Sequence, residues 1–422
     1  MGRGEDRAGG LAIRLREALA AASGIPVAHL VGLLLGVTLL LTLHKLWLGP
    51  RLVDGVSYPA LHNFYIYTSA WTHLLTHQDL YIFYPGQSDL FMYSPTFALA
   101  MAPFSLPPHG VGAALWNLLN AGLYAAALTR LPGLERQVQV PLLLFCSLEL
   151  VTALQNAQSN PLIAGLILLA FAGLEQRRIW SPSLYLLLAI FIKPFAAVAL
   201  LLYVFYPRKT LLILASGTWF LVLLALPLLV IEPAELGRQY QSWARLVLRE
   251  NRDFHGLSLF GWLQAWFGLS GGREWVRGAA LLLLMAPLAR LARHREFLFR
   301  LGFLGSLLIW MVILNHKAES PTFIIAVTGV ALGYLSQPRT WVSKLLAGAV
   351  LLFTQLSPTD IFPGQIKHLL VHTWQLKALA CILAWLWLSG ALLSAPRPGF
   401  RNGLGPLGWP SNGPDAPPKL GD

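Results

Sequence analysis

Charge is scarce in this sequence. Only 12% of its 422 residues are charged, and acids are outnumbered 19 to 31 by Lys and Arg. A soluble chain carries about 25% charged residues, so a fully water-facing surface is excluded. Cysteine is nearly absent. Cys146 and Cys381 each lie inside an apolar run, where buried small apolar residues are expected rather than a disulfide framework. Also missing are an HExxH pair, an Asp-rich cluster, a CxxC, a Walker loop and a dinucleotide glycine fingerprint. No metal site and no ATP- or NAD-driven cofactor chemistry is therefore expected. No internal repeat is visible, which weighs against transporters built from duplicated halves.

What the chain has in quantity is hydrocarbon. Hydrophobic residues make up 56% of it, and its mean hydropathy is +0.59. Apolar runs of roughly 15 to 24 residues recur along it, far too many for one soluble core. The expected fold is an all-α, polytopic membrane protein of about twelve helices. Apolar periods and breakers put the spans at 25–48, 110–129, 138–154, 160–175, 181–193, 194–206, 210–231, 276–292, 298–314, 320–336, 341–356 and 376–393. Residues 1–24 read as a cytoplasmic tail, with an interfacial amphipathic helix over 11–22, and 395–422 as a disordered Pro- and Gly-rich tail.

The net charge of +12 is spread as short clusters between spans, the pattern of helix ends on anionic headgroups rather than of a nucleic-acid surface. The segment 93–106 is apolar, but short and broken by Pro95 and Pro103. If it stays at the interface, Arg130/Arg136, Arg177/Arg178, Arg208/Lys209, Arg290/Arg293/Arg295 and Arg339/Lys344 all fall on one side. The positive-inside rule then makes both termini cytoplasmic and leaves 49–109 and 232–275 as outer loops.

That topology collects the polar islands on the outer face. They are the aromatic, carboxylate-bearing stretch 61–108, the QNAQSN turn 155–160, Lys193–Pro194, the loop 232–275, the NHKAES turn 315–320 and the segment 357–373. Polar groups at membrane depth are expensive and are usually functional or paired. Lys193, alone in a long apolar stretch, suits a phosphate or carboxylate. His316 and Lys317, beside a helix start, suit a phosphate. Asn63, Tyr67, Tyr93, Gln155, Gln158 and Asn160 are candidates for hydrogen bonds to substrate. Asp54, Asp79 and Asp89 are outer-loop carboxylates able to act as a general base. The Arg238–Arg252 stretch reads as an interfacial helix meeting lipid phosphates.

Several strings carry a resemblance. NFYIYTSAWTHLLTHQDLY, YSPTFALAMAPFSLP and ALWNLLNAGLY resemble glycosyltransferase family 87, integral-membrane enzymes of the GT-C superfamily. QNAQSNPLIAGLIL is similar to that family's Gly-Gln-x-Asn segment, with Ala157 in place of Gly. LYLLLAIFIKPFAAVALLL is similar to its Lys-bearing hairpin, and NHKAESPTFIIAVTGVALGYL and LSPTDIFP to one branch. The resemblance runs over roughly 30–390. It implies a GT-C-like transmembrane domain over 25–394 in the cell membrane, with a bacterial inner membrane as its setting. It also implies transfer of a hexose such as mannose from a polyprenyl-phosphate donor to a lipid or glycan acceptor, with inversion and without nucleotide or metal. A first-loop carboxylate would deprotonate the acceptor. The family commonly has Asp where this chain has Asn63, which cannot be that base. Asp89 is then the first candidate, Asp79 the second and Glu319 the third. A polyprenyl-lipid carrier that has lost catalysis and a secondary transporter are the alternatives.

Overall fold

A computed structural model describes residues 26–53, 56–87, 89–249 and 255–394. The expected N-terminal tail with its amphipathic helix, Asp54, Arg252 and the C-terminal tail lie outside the described residues. The chain begins with α1 (Val27–Leu48), then a short antiparallel ribbon of β1 (Arg51–Val53) and β2 (Val56–Tyr58), with Leu52 opposite Ser57. The stretch expected to carry chemistry folds as α2 (His62–Leu75), an irregular crossing, and two short helices, α3 (Pro95–Ala100) and α4 (Ala102–Ser105). Ser94 starts α3 by accepting the Phe97 N–H at 3.1 Å, and Pro95 occupies the first turn, where its missing donor costs nothing. Helices of six and four residues cannot cross a bilayer of about 30 Å.

The bundle follows as α5 (His109–Thr129), α6 (Arg136–Gln155), α7 (Asn160–Glu175) and α8 (Trp180–Ile192). Lys193 then turns extended, and a 3-10 helix covers Pro194–Phe205 before α9 (Lys209–Ala225). The region expected as the second outer loop holds α10 (Pro233–Arg249) and α11 (Leu259–Phe267). The chain closes with α12 (Arg273–Met285), α13 (Phe297–Ile313), α14 (Phe323–Ser336), α15 (Trp341–Ala349), α16 (Gly364–His368) and α17 (Leu376–Leu393).

Among the described residues five helices are long and apolar enough to cross a membrane: Val27–Leu48, His109–Thr129, Val138–Gln155, Lys209–Leu229 and Leu376–Leu393. Six more apolar helices, of 10–17 residues, are shorter: Asn160–Glu175, Trp180–Ile192, Pro194–Phe205, Phe297–Ile313, Ser320–Ser336 and Trp341–Leu356. Length and composition thus support fewer full crossings than the twelve expected. Where a span was expected at 276–292, α12 begins earlier, with Arg273, Glu274 and Arg277 in its first turns, and gives way to a 3-10 turn at Ala286–Ala289.

The centre of the bundle is α7, α13 and α14, buried nearly all round. α13 and α14 touch backbone to backbone. A Cβ on Gly305 would lie 2.7 Å from the Gly329 carbonyl oxygen, and one on Gly329 2.5 Å from that of Gly305. Small residues let helices meet this closely where apolar surface alone gives little drive. α1 lies at the other extreme, exposing Leu33, Leu40, Leu43 and Trp47, a surface suited to lipid.

Among the described residues, ion pairs at Lys377 and Arg300 are sealed inside. Lys377 donates to Glu149 at 2.6 Å and to the Thr354 carbonyl at 2.9 Å, with both charged side chains fully buried. The Lys377 ammonium also lies over the Phe323 ring, 5.0 Å from its centroid. Arg300 forks onto Glu175 at 2.6 and 2.7 Å. Removing one partner of a buried pair strands the other in a medium that cannot solvate it. Lys377→Met should therefore destabilise the bundle by about 3–5 kcal/mol, while Lys377→Met with Glu149→Leu recovers most of the loss. Thermal unfolding in detergent checks this, and an unchanged midpoint for the single variant contradicts it.

Candidate functional site

Four stretches far apart in sequence meet at one end of α7. The QNAQSN turn supplies two of the central side chains, because Ala157 takes a positive φ of 48° and turns the chain sharply between α6 and α7. Trp116 donates its indole N–H to the Ala157 carbonyl at 2.9 Å, and Asn117 donates to the Leu154 carbonyl at 3.1 Å. Asn120 accepts the Leu162 N–H at 3.1 Å. The three polar side chains of ALWNLLN thus hold the turn from behind. Sequence reasoning left them unassigned, although asparagines within an apolar span are the relevant signal.

Lys193 enters from the break between α8 and the 3-10 helix. Its ammonium donates to Asn160 Oδ1 at 2.9 Å and to Gln158 Oε1 at 3.5 Å, and lies 5.6 Å from the Tyr93 ring centroid. Asn160 in turn donates to the Pro321 carbonyl at 3.1 Å, fastening α7 to the turn before α14. Among the described residues Lys193 makes no ion pair within 4.0 Å; its direct partners are neutral amide oxygens. That distinguishes it from Lys377 and Arg300.

Aromatic hydroxyls close the next side. Tyr67 and Tyr93 share a hydrogen bond of 2.7 Å, and Tyr67 donates to Gln158 Oε1 at 3.3 Å. Tyr81 donates to the Tyr93 carbonyl at 2.9 Å, bracing the irregular crossing. Burial holds the Tyr67 phenol well above its ordinary pKa of 10.0, with Tyr93 and then Glu319 adding to the effect, so it remains a neutral hydroxyl. Asn63 reaches the same turn from α2, donating to the Asn156 carbonyl at 2.9 Å.

The NHKAES turn supplies the carboxylate nearest Lys193. Glu319 Oε2 accepts from Gln158 Nε2 at 3.5 Å. The same side chain forms a capping box with Thr322 at the start of the next helix. Glu319 keeps surface open to solvent, yet enough protein surrounds its carboxyl to raise its pKa above the ordinary 4.5. Desolvation is the main cause; Lys193 and Lys317 pull it down, and Asp89 pushes it up. Lys317 and His316 are half-buried in this turn, with the Lys317 ammonium 3.5 Å from the Met92 sulfur. Asp89, exposed on the irregular crossing, caps its neighbour's N–H at 2.8 Å and acts electrostatically on both Glu319 and His62. His62, which the sequence did not single out, has its pKa lowered by burial, and Asp89 opposes that shift.

Two candidates stand apart. Asp79 accepts the Tyr81 N–H at 2.9 Å and the Ser242 hydroxyl at 2.8 Å, tying the crossing to α10. It lines a separate groove of about 420 Å³ with His77, Arg238 and Arg245, to which none of the residues around Lys193 contributes. Gln155 ends α6 beside the turn and makes no side-chain hydrogen bond to the cluster among the described residues.

Chemically, the cluster offers a half-buried ammonium on neutral supports, a second cation in Lys317, phenolic and amide hydrogen-bonding groups, and carboxylates at the solvent side. That set can hold an anion at its cationic end and polar hydroxyls across its middle.

Residues 91–314 match the family model of glycosyltransferase family 87. No curated protein matches the chain. The matched span includes Tyr93, the QNAQSN turn and Lys193, and stops just before Lys317 and Glu319.

The NHKAES turn is backed by Gly256, at a φ of 49°, where an added Cβ would lie 2.3 Å from the His316 carbonyl oxygen. The next residue, Leu257, donates its N–H to the Ala318 carbonyl at 2.8 Å. Gly256→Ala should therefore displace the turn. The left-handed backbone alone costs about 1–2 kcal/mol, and the overlap adds to it. A lower unfolding midpoint checks this; a variant as stable and as active as wild type contradicts it.

Proposed function

Because the chain belongs to glycosyltransferase family 87, we propose that this membrane glycosyltransferase moves a hexose, mannose in our reading, from a polyprenyl-phosphate donor. The acceptor is a lipid or glycan, and the anomeric carbon inverts. The observation that carries this reading is Lys193, a half-buried ammonium held by amide oxygens with no carboxylate in contact. Glu319 answers this ammonium only through space, from beyond contact distance, and a lipid phosphate would supply a negative charge in direct contact with it. The Lys/Arg asymmetry supports a site on the outer face of the cell membrane, with both termini cytoplasmic.

In the reaction the acceptor oxygen attacks the anomeric carbon, and the bond from that carbon to the phosphate oxygen breaks. The phosphate leaves with the electron pair, and the acceptor proton passes to a carboxylate. Lys193, with Lys317 and His316 behind it, steadies the charge growing on the leaving phosphate. Tyr67, Tyr93, Gln158 and Asn160 orient the sugar hydroxyls, with Asn63 and Gln155 at the edge. Asp89 takes the proton. It is exposed and acts electrostatically on Glu319, whereas both oxygens of Asp79 are occupied, one by the Tyr81 N–H of its own crossing and one by the Ser242 hydroxyl of α10. Asn63 cannot serve, since an amide does not accept a proton at neutral pH.

One observation favours Glu319 as an alternative base: its raised pKa. Activity that needs its ionised form would switch on above the ordinary glutamate value of 4.5 as pH rises. Steady-state transfer and donor binding separate the roles. Lys193→Met should weaken polyprenyl-phosphate binding roughly ten- to a hundred-fold through the lost charge-assisted contact. Asp89→Asn should abolish turnover while leaving donor affinity nearly intact, and Glu319→Gln should keep measurable turnover. Turnover in Asp89→Asn together with none in Glu319→Gln transfers the role to Glu319. Unchanged donor affinity in Lys193→Met removes the phosphate contact.

A further inference from the structure

The crossing that carries Asp89 and the helix α10 enclose a groove of about 420 Å³ whose lining residues are all polar. Its volume is in the range of small-molecule sites, roughly 300–1,000 Å³. The floor is fixed. Gln239, 2% exposed, donates to the Gln78 carbonyl at 2.8 Å and to Glu235 Oε1 at 2.6 Å, and accepts the Leu80 N–H at 3.1 Å. Arg238 closes on Glu235 Oε2 through two of its nitrogens. Asp79 is held by the Ser242 hydroxyl and the Tyr81 N–H. A site organised before its ligand arrives loses less freedom on binding.

The rim is open. Arg245, Gln241 and His77 are exposed, and among the described residues none of the three makes a side-chain hydrogen bond or ion pair. His77 itself takes a left-handed φ of 56° as the chain leaves α2. Arg238 and Glu235 cancel each other. One guanidinium, Arg245, and one carboxylate, Asp79, then remain on the groove, neither with an ion pair within 4.0 Å among the described residues. A net anion would be repelled by Asp79 and a net cation by Arg245. Hydroxyl groups suit both, since they donate to the lone pairs left on a carboxylate and accept from guanidinium and amide N–H groups. Two contacts set the groove beside the Lys193 cluster. Tyr81, whose N–H meets Asp79, donates its hydroxyl to the Tyr93 carbonyl at 2.9 Å. Trp243 donates its indole N–H to the Met92 carbonyl at 3.1 Å, and the Met92 sulfur lies 3.5 Å from the Lys317 ammonium.

We propose that this groove binds neutral sugar units of a glycan acceptor, those that flank the unit whose hydroxyl reacts. That the ligand is the acceptor rests on the transferase function proposed above; that it is a neutral saccharide rests on the groove alone. The acceptor is then an oligosaccharide, or a glycolipid with several sugars, rather than a lipid alcohol. Arg245 and Gln241 donate to sugar hydroxyls from the rim, and Asp79 accepts from the floor. A phospholipid headgroup fits less well, because the lining offers no apolar wall for an acyl chain.

Saturation-transfer NMR on the full chain in neutral detergent tests the proposal, with neutral trisaccharides of mannose, glucose and galactose and with glycerophosphoethanolamine as probes. At least one trisaccharide should bind wild type. Arg245→Gln and Gln241→Ala, each at an exposed side chain, should weaken that binding about three- to tenfold. Arg339→Gln, which removes the same charge elsewhere, should leave it unchanged. Polyprenyl-phosphate affinity, measured on the same samples, should be equal in wild type and both groove variants. A failure of the donor assignment then shows in the polyprenyl-phosphate affinity of wild type, and a failure of the groove in its saccharide affinity. No binding of any of the three trisaccharides, or an undiminished affinity in Arg245→Gln, overturns the proposal. Preferential binding of glycerophosphoethanolamine that is lost in Arg245→Gln assigns the groove to a zwitterionic headgroup and overturns it too.

Discussion

A charge inside a hydrocarbon bundle must be answered by another group, and the way each is answered separates scaffold from site. Lys377 meets Glu149 at 2.6 Å, and Arg300 meets both oxygens of Glu175. These pairs are closed: each charge has its counter-charge, and they fasten helices distant in sequence. Lys193 is answered by the amide oxygens of Gln158 and Asn160. Amides orient an ammonium without neutralising it, and Glu319 acts on it only through space, which is why the proposed phosphate is placed against Lys193.

The same logic explains why the site is assembled from turns. α7 is buried along its whole length, and both of its ends carry polar chemistry, Asn160 at one and Glu175 at the other. A helix interior in this setting cannot present unsatisfied groups. The turn at Ala157, the break at Lys193 and the NHKAES turn can, because their backbones are free to donate and accept locally. Gly256 and Trp116 then fix those turns from outside the cluster, through a close backbone approach and an indole hydrogen bond.

Much of this was legible in the chain. Helix limits at 160–175 and 376–393 coincide with the expected ones, because Pro, Gly and charge break apolar runs at definite residues. Lys193 stood out as a lone cation, and QNAQSN and NHKAES as polar islands. Their convergence was inferred only through topology. What the sequence concealed is pairing at long range. Glu149 and Lys377 are separated by 228 positions, and Asp79 and Ser242 by 163, and no local pattern links either pair. The number of true crossings was also hidden, since hydropathy reads apolar length while several helices here stop at 12 or 13 residues. The supporting residues Asn117 and Asn120 were visible as polar positions in a span, but their role depends on where the following turn packs.

The central claim is that a lipid phosphate completes the charge of Lys193 and leaves when the sugar is transferred. Following polyprenyl phosphate released from a polyprenyl-phosphate mannose donor, by purified protein supplied with membrane acceptors, tests it most directly. The account predicts release in step with sugar transfer, one phosphate lipid for each sugar moved. Donor that binds but is recovered intact, with no phosphate lipid formed, would contradict it.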